Sequence, residues 1–498
     1  MCIRDSQNFP HYFLKEISEA PRSVAQTLQN RWRVNPADGS REILLDQTVV
    51  PADLSAALSD RQIRRIFFVG QGTAGVAAQA CADILIHYAS DPSLQVSALK
   101  ASELSGFKLG GNDPAAMADA LVIAISQSGT TTDTNRTVDM VRERGARTLA
   151  IVNRRDSDIT FKVDGVLYTS SGRDIEMSVA STKAFYAQII AGALLSLFIA
   201  GRRKCRGRAF ISREIDTLLT VPDLMEKVLA IRDRIKASAR RHAAAKTYWA
   251  AVGSGPNKAS ADEIRIKLSE LCYKTISSDY IEDKKHIDLS AEPLIIVCAA
   301  GAPDTVIGDI VKDTAILQAH QATPLVIADT GENRFTPYAA DVFGVPRLSP
   351  HLAPILSTLA GHIWGYYAAL TIHEGSRLLH DFREEIQNCL DEFAGQGLDV
   401  YEVVLEKSFR EKFIAFYQTF RRWQAEGRFP AAIAPTSDLT LLLKYLAGRL
   451  PVGDFELDFG KKGTALNMLD TLFECLGTAI NKMARPIDAI KHQAKTVT

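Results

Sequence analysis

The stretch "SQSGTTTDT" brings six hydroxyl side chains, Ser126, Ser128, Thr130, Thr131, Thr132 and Thr134, together with Gln127 into nine residues. A buried strand pattern, "ALVIAIS", leads into it and a helical pattern follows. Hydroxyls and free backbone amides at a helix N-terminus make a phosphate cradle that needs no lysine. An ordinary N-cap uses one hydroxyl and gives no reason for six. The matching loop of the second half, "CAAGAPDT", lacks the cluster, so the phosphate site is expected in the first half only.

A second constellation lies in "ADEIRIKLSELCY", where Glu263, Lys267 and Glu270 fall at i, i+4 and i+7 and share one helix face. Ile264, Leu268 and Leu271 form the apolar stripe one position over, so the charged set is expected at the edge of the buried face, where a cleft can form. The competing reading is a surface ion-pair ladder, worth only tenths of a kcal/mol. "EMSVASTKAF", with Val179, Ala180, Ser181 and Thr182, reads by itself as a helix N-cap. His286 in "EDKKHIDL" reads by itself as a solvated loop histidine, and Lys495 in the closing "AIKHQAKTVT" as part of a basic tail. A lysine near pKa 10.4 is neutral in only roughly one molecule in a few thousand at pH 7. Desolvated over a cleft, it becomes a nucleophile for a ketone.

"GQGTAG" at 70–75 fits the dinucleotide pattern GxGxxG. A nucleotide reader also needs an acid at the end of the next strand. That strand, "LQVSALK", ends in lysine, and Glu103 comes only later, so no NAD site is expected. The glycines still let backbone amides approach an anion. No metal or other cofactor is expected.

The elements that must position these residues follow one plan twice. "RRIFFVG", "ALVIAIS" and "TLAIVN" read as buried strands separated by helices, as do "TYWAAVGSG", "PLIIVCAAG" and "TPLVIAD". Alternating strands and helices predict α/β units, each a parallel sheet covered on both faces. The expected organisation is an N-terminal arm or linker over 1–43, a first α/β domain over 44–200 and a helical linker over 201–234. A second α/β domain follows over 235–380, then a helical insert of no assigned chemistry over 381–482 and a tail over 483–498.

The chain has 498 residues, too long for one core. Lys+Arg and Asp+Glu both number 58, which argues against a nucleic-acid or membrane partner but leaves room for a local anion site. Seven cysteines are scattered singly, with no CxxC pair, which predicts free thiols, a cytoplasmic setting and no zinc site. The opening "MCIRDSQNFPHYF" has no apolar core, so no signal peptide is expected. The apolar run 184–201 carries Gln188 and Ser196, which favours a buried core or subunit-contact helix over a membrane span.

In this order, "HYFLKEISEAP", "ISQSGTTTDT", "EMSVASTKAF", "GSGPNKASADEIRIKLSELCY" and "QAKTVT" resemble the isomerase half of the glucosamine-6-phosphate synthases, a tandem of sugar-isomerase (SIS) domains. The resemblance implies two flavodoxin-like SIS domains and conversion of fructose 6-phosphate to glucosamine 6-phosphate without metal or redox cofactor. It implies that Ser126, Gln127, Ser128 and Thr131 hold the sugar phosphate, with Val179, Ser181 and Ala494 lining the site. Glu263, Lys267 and Glu270 match acid–base positions. His286 matches a ring-opening histidine supplied by the neighbouring subunit of a homodimer, and Lys495 a lysine that forms a Schiff base. The sequence departs from the family in several places. Ala74 stands where the family has a phosphate-binding serine, leaving Thr73 beside it as the hydroxyl at that turn. Ile287-Asp288 replaces the Gly-Pro that follows the family's histidine. The helical insert separates the second domain from the tail. The family's glutaminase domain is not expected in this chain, and Cys2, followed by Ile3-Arg4-Asp5, does not match its nucleophile. A separate glutaminase domain or subunit is one expected ammonia source. The alternatives are another SIS phosphosugar isomerase or deaminase using free ammonia, or a non-catalytic phosphosugar-binding protein.

Overall fold

The computed structural model describes residues 9–109, 113–174, 176–284, 292–429, 435–485 and 487. The chain opens with α1 (Tyr12–Leu28), whose face of Phe13, Ile17, Ala20 and Val24 is fully buried. The N-terminal arm thus contains a packed helix of 17 residues, because an apolar face of this width has to find a core. A short antiparallel hairpin follows, β1 (Trp32–Val34) and β2 (Arg41–Ile43), then α2 (Ala52–Ser59).

The first sheet is built from β3 (Arg65–Gly70), β4 (Gln95–Lys100), β5 (Ala120–Ser126), β6 (Arg147–Val152) and β7 (Gly165–Tyr168). All neighbours are parallel, in the order β4-β3-β5-β6-β7. Its helices are α3 (Thr73–Ala89), the single turn α4 (Ala101–Glu103), α5 (Thr132–Arg142) and α6 (Lys183–Arg202). Then come α7 (Arg208–Ala230) and α8 (Arg232–His242). The second sheet uses β8 (Trp249–Gly253), β9 (Ile276–Asp279), β10 (Leu294–Cys298), β11 (Thr323–Asp329) and β12 (Asp341–Val345), again all parallel, ordered β12-β11-β10-β8-β9. Counted from its own first strand, each sheet runs 2-1-3-4-5, the flavodoxin-like order. Every residue of β5, β8 and β10 is buried, which is why those strands read as unbroken apolar runs.

The helices around the second sheet are α9 (Asn257–Cys272), α10 (Ile281–Lys284), α11 (Asp304–Ala319) and α12 (Ala353–Gly395). The remaining helices are α13 (Val400–Val403), α14 (Lys407–Ala425), α15 (Pro435–Leu446), α16 (Phe455–Phe459) and α17 (Ala465–Met483). The expected boundary at 381 falls inside α12, which runs unbroken from the second sheet into the helical region. That region has its own aromatic core: Phe382 stacks on Phe416 at 3.7 Å, and Phe409, Phe413 and Phe420 are fully buried. It ends where it began, since Ser376 on α12 donates to the Ile480 carbonyl at 3.1 Å. Beyond it, the Arg485 amide donates to His373 Nδ1 at 3.2 Å and its Nε to the Cys272 carbonyl at the end of α9.

The apolar α6 is long and apolar enough to cross a membrane, but it is buried against α1, α3 and α7 within this one chain. Of the two readings, buried core or subunit contact, the structure has the buried core helix.

Candidate active site

The turn after β3 and the loop after β5 flank the point where the strand order reverses, the place where open α/β sheets bind ligands. A cavity of about 980 Å³ opens there, lined by Thr73, Ser126–Ser128, Thr130–Thr132, Val179, Ser181, Lys267 and Glu270. In the β5 loop the Ser126 hydroxyl, itself buried, accepts from the Gly129 amide at 3.0 Å and so shapes the turn. Gly129 has φ +69°, and a Cβ there would lie 2.0 Å from Ser157 Oγ, so the tight turn admits only glycine. Asn135 clamps the loop from α5, donating to the Gly129 and Thr131 carbonyls at 3.0 and 3.1 Å. Thr131 is the N-cap of α5, yet its hydroxyl makes no cap bond. Gln127, Ser128 and Thr131 thus face the cavity at a helix N-terminus, the geometry of an anion cradle.

Thr73 lines the cavity at the start of α3, but its hydroxyl is committed elsewhere. It receives Lys267 Nζ at 2.8 Å and lies 3.1 Å from Glu263 Oε1. The set predicted on α9 is assembled as a ladder: Lys267 Nζ sits 3.3 Å from Glu263 and 3.0 Å from Glu270. Glu263 and Lys267 are at most 1 % exposed, so they lie inside the core rather than at its edge; Lys267 borders the cavity from there, and Glu270, its side chain 29 % exposed, opens into it. Burial by itself lowers the Lys267 ammonium, but Glu263 and then Glu270 outweigh it and hold the group above the ordinary lysine range.

Two members of this network were invisible in the sequence. Gly361 of α12 lies so close to α9 that a Cβ would meet Ile264 at 2.3 Å, and this approach sets the neighbouring His362 beside Glu263. His362 Nε2 is 3.6 Å from Glu263 Oε1, and His362 Nδ1 is 2.6 Å from the Tyr186 hydroxyl of α6. Burial raises the Tyr186 phenol far above its usual range, so it keeps its proton, and the Glu263 carboxylate beside Nε2 favours the ring hydrogen there, leaving Nδ1 to accept from the hydroxyl. That assigns the hydrogen of the neutral imidazole to Nε2, facing the carboxylate. Burial also pushes the imidazole below its usual range, offset in part by Glu263. The chain Tyr186–His362–Glu263–Lys267–Thr73 thereby ties α6, α12, α9 and α3 together.

The loop "EMSVASTKAF" is organised by carboxylates that motif reading passed over. Glu176 accepts from the Ser181 hydroxyl at 2.8 Å and from the Thr182 and Ala184 amides at 2.9 Å each. Glu16 of α1 accepts from the Met177 and Ser178 amides at 2.5 and 2.9 Å. Burial, and then repulsion from Glu176, push the Glu16 carboxyl up to about 8. A carboxyl raised in the fold binds its proton more tightly there than in the unfolded chain. Its stabilising share is full below the unfolded value and is lost as pH rises through about 8. Stability is therefore expected to fall between pH 5 and 8, and Glu16→Gln to flatten that slope, as measured by urea midpoints across the range.

His286, Ala494 and Lys495 lie outside the described residues. Of the other predicted positions, Ser126, Gln127, Ser128, Thr131, Thr73, Val179, Ser181, Lys267 and Glu270 share the one cavity. Glu263 stands directly behind them.

Comparison with known proteins places the chain. Residues 61–197 match the family model of the SIS domain. Over 364 residues the chain is 33% identical to the glutamine–fructose-6-phosphate aminotransferase (isomerizing) of Mycobacterium tuberculosis, covering 72% of this chain and 55% of that protein. The chain thus spans about half the length of the curated relatives it matches. Among solved structures, the C-terminal domain of glucosamine-fructose-6-phosphate aminotransferase from Francisella tularensis superposes with a TM-score of 0.64 at 23% identity, over 73% of this chain and 97% of that one. Tagatose-6-phosphate ketose/aldose isomerase from Escherichia coli gives 0.56 at 15% identity, over 72% and 93%. The fold is that of an SIS-domain protein. Within that class the chain is similar over 72% of its length to the glutamine–fructose-6-phosphate aminotransferases, and in fold to their C-terminal domain.

Proposed function

We propose that this chain converts fructose 6-phosphate to glucosamine 6-phosphate. The observation that carries this reading is the single cavity that joins a cation-free phosphate cradle to the Lys267–Glu270 pair. The sugar phosphate sits against Gln127, Ser128 and Thr131. His286, from the partner protomer of a homodimer, opens the ring. The neutral Lys495 amine adds to the C2 ketone and water leaves, giving an imine. Ammonia then displaces the lysine, and Glu270 carries a proton from C1 to C2. Lys267 holds the Glu270 carboxylate in place, and buried Glu263 anchors Lys267 from behind. The ammonia comes from a glutaminase domain or subunit, or from solution.

The test is incubation with fructose 6-phosphate and ammonium, followed by assay for glucosamine 6-phosphate. Fructose 6-phosphate is also expected to stabilise the fold by about 2.7 kcal/mol at a hundredfold excess over its dissociation constant. Unphosphorylated fructose should leave the melting temperature unchanged. Ser128→Ala with Thr131→Ala should abolish most of the shift; an unchanged shift would remove the β5 loop from the site.

A further inference from the structure

The apolar helix α6 carries one side chain that a core position does not explain. Every residue from Lys183 to Ala200 is buried, and Gln188, in the second turn, is 1 % exposed. Its carboxamide oxygen is enclosed and has no hydrogen-bond partner among the described residues. Of the buried side-chain atoms in that condition, it is the one that belongs to a residue lining the candidate active site. Leaving a polar group unpaired inside a protein costs more than an ordinary hydrogen bond gains, which is why such groups normally have partners. An apolar side chain of the same length would fill this part of the core without that cost.

The helix is placed so that this amide borders the cavity. α6 packs along α3, and the Cys81 thiol of α3 donates to the Gln188 carbonyl at 3.7 Å. Gly192, one turn further along, permits the approach, since a Cβ there would lie 2.2 Å from Cys81 Sγ. Side chains on a helix lean toward its N-terminus. For α6 that is the end entered from Val179 and Ser181, which line the same cavity. Glu176 sits at this end too, on the Thr182 and Ala184 amides, so its carboxylate makes the place unwelcoming to an anion. A neutral ligand group suits it better. A half-turn about the last side-chain bond exchanges the amide oxygen and nitrogen, so either can be turned to a ligand. A hydroxyl, which both donates and accepts, matches either end.

In the function proposed above, the β5 loop takes the phosphate and Glu270 serves C1 and C2. The carbons between them carry hydroxyls that these groups leave unrecognised. We propose that the Gln188 carboxamide hydrogen-bonds a hydroxyl on C3, C4 or C5 of the open-chain sugar phosphate, and so selects which sugar the cavity takes. The inference rests on the phosphosugar reading and deepens it.

The experiment is calorimetric titration of the full chain with glucitol 6-phosphate, an open-chain polyol with no carbonyl to react, and with its 3-, 4- and 5-deoxy forms. The parent should bind one of the deoxy forms about tenfold more weakly than the full polyol, the scale of one hydrogen bond. Gln188→Met, apolar and of similar volume, should bind glucitol 6-phosphate about tenfold more weakly than the parent does. That same deoxy form should bind the variant as well as the full polyol does, because the contact is already gone. Affinity for inorganic phosphate should be unchanged, the cradle being intact. The unliganded melting temperature should equal or exceed the parent's, since an unpaired polar group has been removed. Any of three results would overturn the contact: a parent indifferent to all three deletions, a deoxy penalty that persists in the variant, or a variant that melts well below the parent, which would make the amide part of the fold. No binding of glucitol 6-phosphate by the parent would remove the phosphosugar reading itself, a result distinct from these three.

Discussion

Replacing Lys267 by methionine lowers the unfolding free energy by about 3–5 kcal/mol, the cost of leaving one partner of a buried ion pair without the other. The reason is local. Glu263 and Lys267 are at most 1 % exposed, so Glu263 would keep its charge in a place water does not reach. The measurement is urea denaturation of the parent and the variant. The double substitution Glu263→Gln/Lys267→Met should recover much of the loss, since it removes the buried charge that the single variant leaves unpaired. A single-variant loss below about 1 kcal/mol would place the pair in the range of solvated surface bridges and contradict its burial.

Lys495→Arg is expected to reduce turnover by about two orders of magnitude or more while leaving phosphosugar binding in place. The guanidinium keeps the charge but stays protonated, and so cannot add to a ketone. A loss of that size is the scale seen when a participating group is removed. In the parent, borohydride added with fructose 6-phosphate should fix the sugar to the C-terminal peptide, as read by mass spectrometry. Lys491→Arg, four residues earlier, should be nearly silent. Full activity in Lys495→Arg would end the imine mechanism.

The parts of the site that can be read from the sequence are those built from neighbours in the chain. "SQSGTTTDT" announces its cradle because strand, loop and helix N-terminus are consecutive, and Glu263, Lys267 and Glu270 announce a shared face through helical spacing alone. The depth of that face was not legible. Periodicity put the charged residues at an edge, whereas the close approach of α12, permitted by Gly361, buries two of them. Tyr186 and His362 were hidden for the same reason, being 176 residues apart and meeting only when two domains pack. Glu16 and Glu176 carry no local signal, since nothing in the neighbouring sequence shows that a carboxylate serves as the cap for another segment's amides. The doubled α/β plan was plain, because buried parallel strands leave unbroken apolar runs.

The closed outline of the helical region bears on how such a chain can be lengthened. Residues 376 and 480 are hydrogen-bonded neighbours, so roughly a hundred residues leave and rejoin the fold at almost the same point. Topologically the region is a detour with no net displacement. The segment after it starts from Arg485, held on the last carbonyl of the helix that carries Glu263, Lys267 and Glu270. Its point of departure is therefore fixed by α9 rather than by whatever fills the detour. Loop-closure entropy grows only slowly with length, so a site with touching ends accepts a large insertion at little cost. The helical region is then free to diverge in size and surface while Arg485 keeps its place on α9.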